Sequence, residues 1–149
     1  MMVTSTRERV PRNTDACINA DIRRKTENNI AYYAAGGPDA ITRRLTELDD
    51  EWDIERMLET NAATATLIGL TLGVTVSKKW FVMPAVIAGF LLQHAVQGWC
   101  PPLPVLRRMG FRTAGEIDYE RYALKALRGD FRNVAEAGTA AHALQAAEC

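Results

Sequence analysis

The sequence predicts an all-α membrane protein, in which a helical hairpin of two transmembrane helices is flanked by cytosolic amphipathic helices. The first observation is the distribution of charge. Neither Thr60–Ser77 nor Trp80–Leu106 contains a charged residue, and only Lys78 and Lys79 separate the two stretches. The second observation is length, because the 18 residues of Thr60–Ser77 span about 27 Å as an α-helix, close to the roughly 30 Å hydrocarbon thickness of a bilayer.

Composition excludes several other classes of protein. The 149 residues carry 18 basic and 18 acidic side chains, and no basic run is longer than Arg23–Lys25, so we expect no nucleic-acid partner. Three widely spaced cysteines, Cys17, Cys100 and Cys149, argue against a disulfide scaffold and for reduced thiols in a cytosol. The first twenty residues lack an apolar segment, so we expect no cleavable signal peptide.

The N-terminal part is predicted to contain a disordered segment, residues 1–17, and two charged amphipathic helices within residues 18–59. The first helix covers roughly Asn19–Ala35 and is stopped by Gly36–Pro38. The second begins at Pro38, a residue that suits the first turn of a helix. Its apolar residues recur at helical spacing as one stripe, and we expect the helix to continue unbroken into Thr60–Ser77. The stripe comprises Ile41, Leu45, Leu48 and Trp52.

Residues 60–106 are the predicted two-helix transmembrane hairpin. Four threonines dilute the first span, but a threonine hydroxyl can return a hydrogen bond to the carbonyl one turn back, which makes it cheap in a membrane helix. The second span, Trp80–Trp99, has a tryptophan at each end, as in the aromatic belts of membrane helices. The alternative is a pair of buried helices in a soluble bundle, although a core helix rarely lacks a polar face for 18 residues. The threonines are Thr64, Thr66, Thr71 and Thr75.

Residues 107–131 are predicted to form a C-terminal amphipathic helix, and residues 132–149 an alanine-rich tail. The helix runs from about Glu116 to Arg128, because Thr113 and Glu116 have capping-box spacing and Gly129 ends it. It lies either on the membrane surface or against the charged N-terminal helices. Arginines concentrate on both outer sides of the hairpin, whereas its turn offers two lysines. The positive-inside rule therefore predicts that both termini are cytoplasmic.

Small residues recur every fourth position on both predicted spans. Ala65, Gly69 and Gly73 form this pattern on the first span, and Ala85 and Gly89 repeat it on the second. Small residues at this spacing let membrane helices approach closely. The stripes therefore predict either a dimer interface or packing of the two helices within one hairpin, and each stripe can serve a different one of these contacts.

Polar residues in the second half of the second span are the remaining candidate site. Gln93 and Gln97 continue the Ala85–Gly89 stripe, and His94 lies between them. Polar groups at this depth face protein or water. They form either a polar path for a small ligand or interhelical hydrogen bonds that fix the register of the helices.

Cys100 precedes two prolines, which should end the helix and leave a thiol at the cytoplasmic interface. It is either a sulfur or redox acceptor or a small apolar filler, and a helix C-terminus disfavours the thiolate. No residue pattern indicates a metal site or a cofactor.

These segments together resemble the YgaP-like transmembrane domain, a family of bacterial inner-membrane helical hairpins. The resemblance covers about Arg56–Gly110, and its most specific piece is Gly98–Pro101, which reads Gly-Trp-Cys-Pro. It implies a membrane hairpin, a bacterial inner-membrane location and dimerisation. Some members carry a rhodanese domain before the hairpin. Fewer than 60 residues precede the hairpin here, so we expect that sulfurtransferase chemistry does not carry over.

Two hypotheses about function follow. The first is a non-enzymatic inner-membrane module that dimerises and presents its cytosolic helices to an unidentified protein partner or to itself. The second is a transport or carrier role for a small anion or a sulfur compound. That role would use the intramembrane polar residues Gln93, His94 and Gln97 together with Cys100.

Overall fold

The protein is all-helical in the part of the chain that the structure, a computed structural model, describes: residue 5, residues 7–132 and residue 141. The predicted all-α class is therefore confirmed. The seven α-helices of that part are α1 (Arg9–Arg12), α2 (Ala16–Ala35), α3 (Gly37–Asp50), α4 (Ile54–Thr75), α5 (Val82–Gln97), α6 (Leu103–Arg108) and α7 (Ala114–Arg128), with a 3₁₀ turn (Lys78–Phe81) before α5. The alanine-rich tail is, apart from residues 132 and 141, outside the described residues.

The chain divides into two compact units. The hairpin unit comprises Met1–Ile22 and Trp52–Gly115, and the charged-helix unit comprises Arg23–Glu51 and Glu116–Cys149. Each unit has its own cluster of buried apolar side chains.

The core of the hairpin unit lies where α1, the start of α4 and α6 meet. Its buried members are Val10, Ile54, Leu58, Cys100, Leu103 and Leu106. Burying a side chain of this size contributes about 1.5–3 kcal/mol relative to leaving it exposed. Trp99, predicted to sit in an aromatic belt, is partly buried against this cluster.

The expectation that residues 1–17 are disordered is wrong for the described residues of that segment. Arg9–Arg12 is helical, and Val10 is only 1% exposed. Asn19 connects this segment to the rest of the unit, because it donates to the carbonyl of Pro11 at 2.8 Å and accepts from Arg107 at 2.8 Å. A four-residue helix is not stable alone, so tertiary contacts order it, and a polar sequence does not reveal them.

The predicted unbroken helix from Pro38 into the apolar stretch is also wrong. α3 ends at Asp50 and α4 begins at Ile54, with Asp53 as N-cap. The Asp53 carboxylate accepts a hydrogen bond from the backbone N–H of Arg56 at 2.7 Å, which satisfies one of the free donors of the first turn. Trp52 therefore leaves the stripe of α3, and its ring instead stacks under the Arg56 guanidinium at 4.3 Å.

The charged-helix unit packs α7 against α3. Ile41, Leu45 and Leu48 of α3 are buried with Ile117 and Leu124 of α7. Of the two predicted positions for the C-terminal helix, the structure therefore shows packing on a charged N-terminal helix. Gly129 follows α7 with φ +96°, as expected for the residue that ends it.

Arginines of the charged-helix unit join the two helices around that core. The Arg44 guanidinium donates to the fully buried Glu120 carboxylate at 2.8 Å. Arg121 donates to the Leu48 carbonyl at 3.1 Å, and Arg128 donates to the Thr42 hydroxyl at 2.9 Å. A buried carboxylate needs such a partner, because burying it alone would carry a large desolvation cost.

The short helix α6 was not predicted, because the sequence assigned its residues to the end of the hairpin. It follows Pro101 and Pro102, and its second residue is Pro104. Proline suits a first helical turn because its missing N–H would have no partner there. α6 brings Leu103 and Leu106 into the core of the hairpin unit.

Candidate functional site

The helices α4 and α5 pack against each other through the first small-residue stripe. A Cβ placed on Gly69 would lie 2.8 Å from Cδ of Pro84, and one placed on Gly73 would lie 2.7 Å from Cε1 of Phe81. The pyrrolidine ring of Pro84 is rigid, so Gly69 leaves no room for any side chain. Ala65, one turn earlier, is partly buried. Gly69 and Gly73 thus serve the contact within the hairpin, which was one of the two predicted uses.

The second small-residue stripe faces away from this contact. Ala85 and Gly89 are exposed, and a Cβ on Gly89 would have no heavy atom within 4 Å. Gln97 on the same stripe is exposed and Gln93 is partly buried. Neither glutamine side chain makes a hydrogen bond to another described residue. The stripe on α5 is therefore an outer surface that combines small and polar residues.

The rest of the outer surface of the hairpin is strongly apolar. Thirteen large hydrophobic side chains between residues 67 and 96 are exposed, which is more than a monomeric soluble protein leaves in water. They are distributed along the second half of α4, the 3₁₀ turn and the length of α5. The side chains are those of Leu67, Ile68, Leu70, Val74, Val76, Trp80, Phe81, Val82, Val86, Phe90, Leu91, Leu92 and Val96.

Among the described helices, one is long and apolar enough to cross a membrane, and it covers Lys78–Gln97. Only 6% of its most apolar part is buried in the protein. α4, which contains all of the first predicted span Thr60–Ser77 except its last two residues, is less apolar than this segment. Its threonines lower its hydropathy, and Glu55, Arg56 and Glu59 occupy its first two turns.

Three of the four threonines of the first predicted span make the predicted hydrogen bond to the preceding turn, and Thr66 does not. Thr64 donates to the Thr60 carbonyl at 2.8 Å, Thr71 to the Leu67 carbonyl at 2.8 Å, and Thr75 to the Thr71 carbonyl at 2.7 Å. Each hydroxyl proton is thereby satisfied inside the helix. These hydroxyl groups of α4 therefore do not need hydrogen-bond acceptors outside the helix.

The C-terminal end of α5 is covered by α1 and the residue that follows it. The Arg9 guanidinium donates to the Ala95 carbonyl at 3.1 Å, and the Asn13 amide donates to the Gln97 carbonyl at 2.8 Å. These carbonyls belong to the last turn of a helix, where carbonyl oxygens lack intrahelical donors and carry a partial negative charge. A cationic side chain and an amide therefore complete the end of α5.

Gly98 makes this close approach possible. It ends α5 in the left-handed conformation, with φ +77°, which glycine adopts without strain. A Cβ here would lie 2.5 Å from the carbonyl carbon of Arg9. The helix was expected to end at Cys100, before the prolines. Gly98 ends it instead, and a glycine at this position is a signal that the sequence contained.

His94 lies beneath the covered end of α5. It is 6% exposed, and neither ring nitrogen has a hydrogen-bond partner among the described residues. Nε of Arg9 and Oε2 of Glu55 are also buried without a hydrogen-bond partner among the described residues. The charge of Arg9 acts on both the Glu55 carboxylate and the His94 ring. The hairpin unit therefore contains a small set of buried polar groups around Arg9, and sequence reasoning had identified only His94.

Cys100 is part of the apolar core and not of this polar set. Its side chain is 4% exposed and packs with Val10, Ile54 and Leu58. Burial raises the pKa of its thiol, which disfavours the reactive thiolate. The environment of Cys100 therefore supports its interpretation as an apolar filler.

The four residues of the carrier hypothesis do not converge. His94 and Cys100 are buried, Gln93 is partly buried on the outer stripe, and Gln97 is exposed. In the part of the chain that the structure describes, no group of three or more histidine, cysteine, aspartate or glutamate side chains could hold a metal ion. Comparison with known proteins adds no assignment, because no family model, no curated protein and no solved structure matches the chain.

Proposed function

We propose that this chain is a non-enzymatic inner-membrane module of the type that the likeness to the YgaP-like transmembrane domain implies. Its hairpin crosses the membrane twice, dimerises, and leaves the charged-helix unit in the cytoplasm. The observation that carries the proposal is the exposed apolar surface between residues 67 and 96. Soluble monomers rarely leave so many large apolar side chains in water, whereas lipid acyl chains accommodate them.

Burial supports a membrane helix over the soluble bundle that remained as the alternative. A core helix of a soluble bundle has its apolar side chains covered by neighbouring helices. In Lys78–Gln97, by contrast, only 6% of the most apolar part is buried, although one side of the segment packs on α4. Tryptophan at one end, Trp80, is 43% exposed, as expected for a side chain at the bilayer interface.

In the proposed arrangement, α4 crosses the membrane together with α5. The two helices pack along Gly69 and Gly73, and only Val76 and Ser77 lie between α4 and the 3₁₀ turn. Such a short connection keeps the end of α4 next to the start of α5 at the same depth. Hydrogen-bonded threonines lower the cost of placing α4 in lipid. Both termini are then on the same side, the cytoplasmic one by the positive-inside rule.

Membrane insertion is tested by placing a charge at the centre of α5. Ala88→Arg should move the protein into the fraction released by alkaline carbonate, because arginine at the centre of a membrane helix costs about 2.5–3.5 kcal/mol on insertion scales. Val105→Arg is the matched control, since Val105 is an exposed apolar residue of α6 outside the predicted spans. The unmodified protein and the control should stay in the membrane pellet. Release of the unmodified protein would contradict the proposal.

We place the dimer interface on the stripe of Ala85, Gly89 and Gln93. The stripe on α4 is used inside the hairpin, whereas this one is uncovered. A glutamine at membrane depth faces protein or water in preference to lipid. A second copy of the same stripe would satisfy the amide and allow close helix approach, with a hydrogen bond contributing roughly 0.5–2 kcal/mol.

The interface is tested with bulky substitutions and a membrane two-hybrid assay. Ala85→Ile with Gly89→Ile should abolish association while insertion persists, because isoleucine separates the partner backbones. Gly69→Ile should separate α4 from α5, seen as loss of crosslinking between the two helices, without abolishing association. Leu70→Ile, on another face of α4, should change neither. Persistent association of the Ala85 and Gly89 double variant would remove this stripe from the interface.

A carrier role is the second candidate, and one observation favours it. The buried His94 ring lies near the Arg9 charge with both nitrogens free of protein partners among the described residues. Such groups can hold a small polar solute. Vesicles containing the purified protein should then take up thiosulfate or thiocyanate, and His94→Leu should reduce the rate. Equal uptake by protein-free vesicles would exclude this role.

A further inference from the structure

An apolar groove lies at the beginning of α5, beside the 3₁₀ turn. It has a volume of about 540 Å³, within the roughly 300–1,000 Å³ range of ligand sites. Its walls are formed by Val82, Met83, Val86 and Ile87, with Lys79 and Trp80 at the turn. The groove therefore has one cationic end and an otherwise apolar lining.

The positive charge at this end has no partner within the described protein. Neither Lys79 nor the adjacent Lys78 is within ion-pair distance of a carboxylate among the described residues. The nearest acidic residue before them in sequence is Glu59, and the next acidic residue after them is Glu116. The turn itself is fixed, because the Ser77 hydroxyl accepts from the backbone N–H of Lys79 at 3.4 Å. Lys79 is thus a cation without an ion-pair partner at one end of the apolar groove.

We propose that this groove holds one anionic phospholipid, with its acyl chain along Val82, Val86 and Ile87 and its phosphate at the Lys79 ammonium. The charge and the apolar lining match the two parts of such a lipid. Trp80 sits where an indole prefers to lie, at the junction of acyl chains and headgroups. This proposal rests on the proposed membrane insertion and adds the class and position of a bound lipid.

Fluorescence quenching by brominated lipids tests the site directly, because Trp80 lines it. Trp52→Phe and Trp99→Phe leave Trp80 as the sole tryptophan of the chain, which has three. The purified full-length variant is reconstituted into phosphatidylcholine vesicles that contain a fraction of brominated phosphatidylglycerol or brominated phosphatidylcholine. The bromines are on acyl carbons near the headgroup. We expect phosphatidylglycerol to quench Trp80 with an apparent affinity about fivefold higher, the ratio that one lysine near a membrane surface provides.

Variants of the two lysines distinguish a specific lipid site from general electrostatic attraction of anionic lipid to the turn. Lys79→Gln should remove the preference, so that phosphatidylglycerol and phosphatidylcholine quench with about equal apparent affinity. Lys79→Arg should retain the preference for phosphatidylglycerol. Lys78→Gln is the matched control, because Lys78 does not line the groove, and it should reduce the preference less than Lys79→Gln does. Equal loss in Lys78→Gln and Lys79→Gln would overturn the site in favour of a diffuse charge effect.

Two further outcomes identify other occupants or a failure of the premise. Absence of quenching by either lipid, in protein that resists alkaline carbonate extraction, would mean that a second copy covers Trp80, and it would overturn the lipid site alone. Release of the protein by carbonate would overturn the proposed membrane insertion itself. The same extraction is therefore performed on every variant before quenching is measured.

Discussion

Glu55 shows how two opposing effects act on one side chain. It lies in the first turn of α4, where the partial positive charge of the helix end favours a carboxylate. Its Oε2 atom, however, is buried without a hydrogen-bond partner. Burial raises the pKa of Glu55 above its ordinary value of 4.5, although backbone hydrogen bonds and the Arg9 charge act in the opposite direction. Desolvation is therefore the larger effect.

This shift predicts that Glu55→Gln stabilises the hairpin unit at neutral pH. A raised carboxyl pKa favours the protonated form in the folded state, so the stabilisation is present below about pH 4.5 and is lost as the pH rises through the folded pKa. Glutamine resembles the protonated form at every pH. Thermal melts in detergent should show a Tm about 2 °C higher for the variant at pH 7, after allowance for solvent screening.

The same melts at lower pH provide the control. The difference in Tm between Glu55→Gln and the unmodified protein should decrease as the pH approaches 4, because both side chains are then neutral. Glu59→Gln, in the next turn and exposed, should leave Tm nearly unchanged. A lower Tm for Glu55→Gln at pH 7 would show that the carboxylate charge stabilises the fold.

At the scale of elements, local signals predicted some helix ends and missed others. Helices end at Gly36–Pro38 and at Gly129 as predicted. A helix often ends at a residue with positive φ, which glycine adopts most readily, so the residue type alone is a local signal. The break at Asp53 was missed because periodicity on both sides of it favoured one helix. An aspartate that can cap a helix end is also common on exposed helix faces, so only packing of the flanking residues distinguishes the two roles.

The short helix α1 could not be predicted from local sequence at all. Its order depends on Val10 in the core of the hairpin unit and on hydrogen bonds from Arg9 and Asn13 to carbonyls about 85 residues later in the chain. Such long-range contacts leave no periodic pattern in four residues. For the same reason, spacing identified the glycines of α4 but not Pro84 and Phe81 as their partners.

Two glycine variants test whether α1 stabilises the end of α5. Gly98 and Gly110 both have positive φ, so alanine at either site costs about 1–2 kcal/mol in backbone strain. At Gly98, however, the new methyl group would also contact the Arg9 backbone, whereas at Gly110 it would meet no atom within 4 Å. Gly98→Ala should therefore lose more stability than Gly110→Ala and expose Arg9 and Arg12 to trypsin.

Limited proteolysis and thermal melts of the two variants measure these effects. Cleavage after Arg9 or Arg12 should accelerate in Gly98→Ala and remain slow in Gly110→Ala. Asn13→Ala, which removes one hydrogen bond to the end of α5, should give an intermediate rate. Equal losses of stability and equal cleavage in both glycine variants would mean that α1 does not contribute to the end of α5.

At the scale of the whole molecule, the uneven distribution of charge along the sequence corresponds to surfaces of different polarity. Residues 67–96 provide the exposed apolar surface, and Lys78 and Lys79 are the only charged residues among them. Of the first three arginines after the second span, Arg107 and Arg112 are buried and Arg108 is exposed. The membrane prediction therefore depends on surface composition, which the sequence shows well. Which cations can contact lipid phosphate depends instead on the burial of their side chains.

The last prediction concerns membrane topology and uses one introduced and one native thiol, in a chain that carries Cys149→Ser. Ser77 lies exposed at the turn of the hairpin, and Cys17 is exposed near the N-terminus. If both termini are cytoplasmic, Ser77→Cys should react with a membrane-impermeant maleimide in intact cells, and Cys17 should react only after the cells are opened. Cys100 is buried and should stay unlabelled until denaturation in both cases. Labelling of Cys17 in intact cells without labelling at position 77 would reverse the orientation, and labelling of both would contradict a hairpin with its turn and its N-terminus on opposite sides of the membrane.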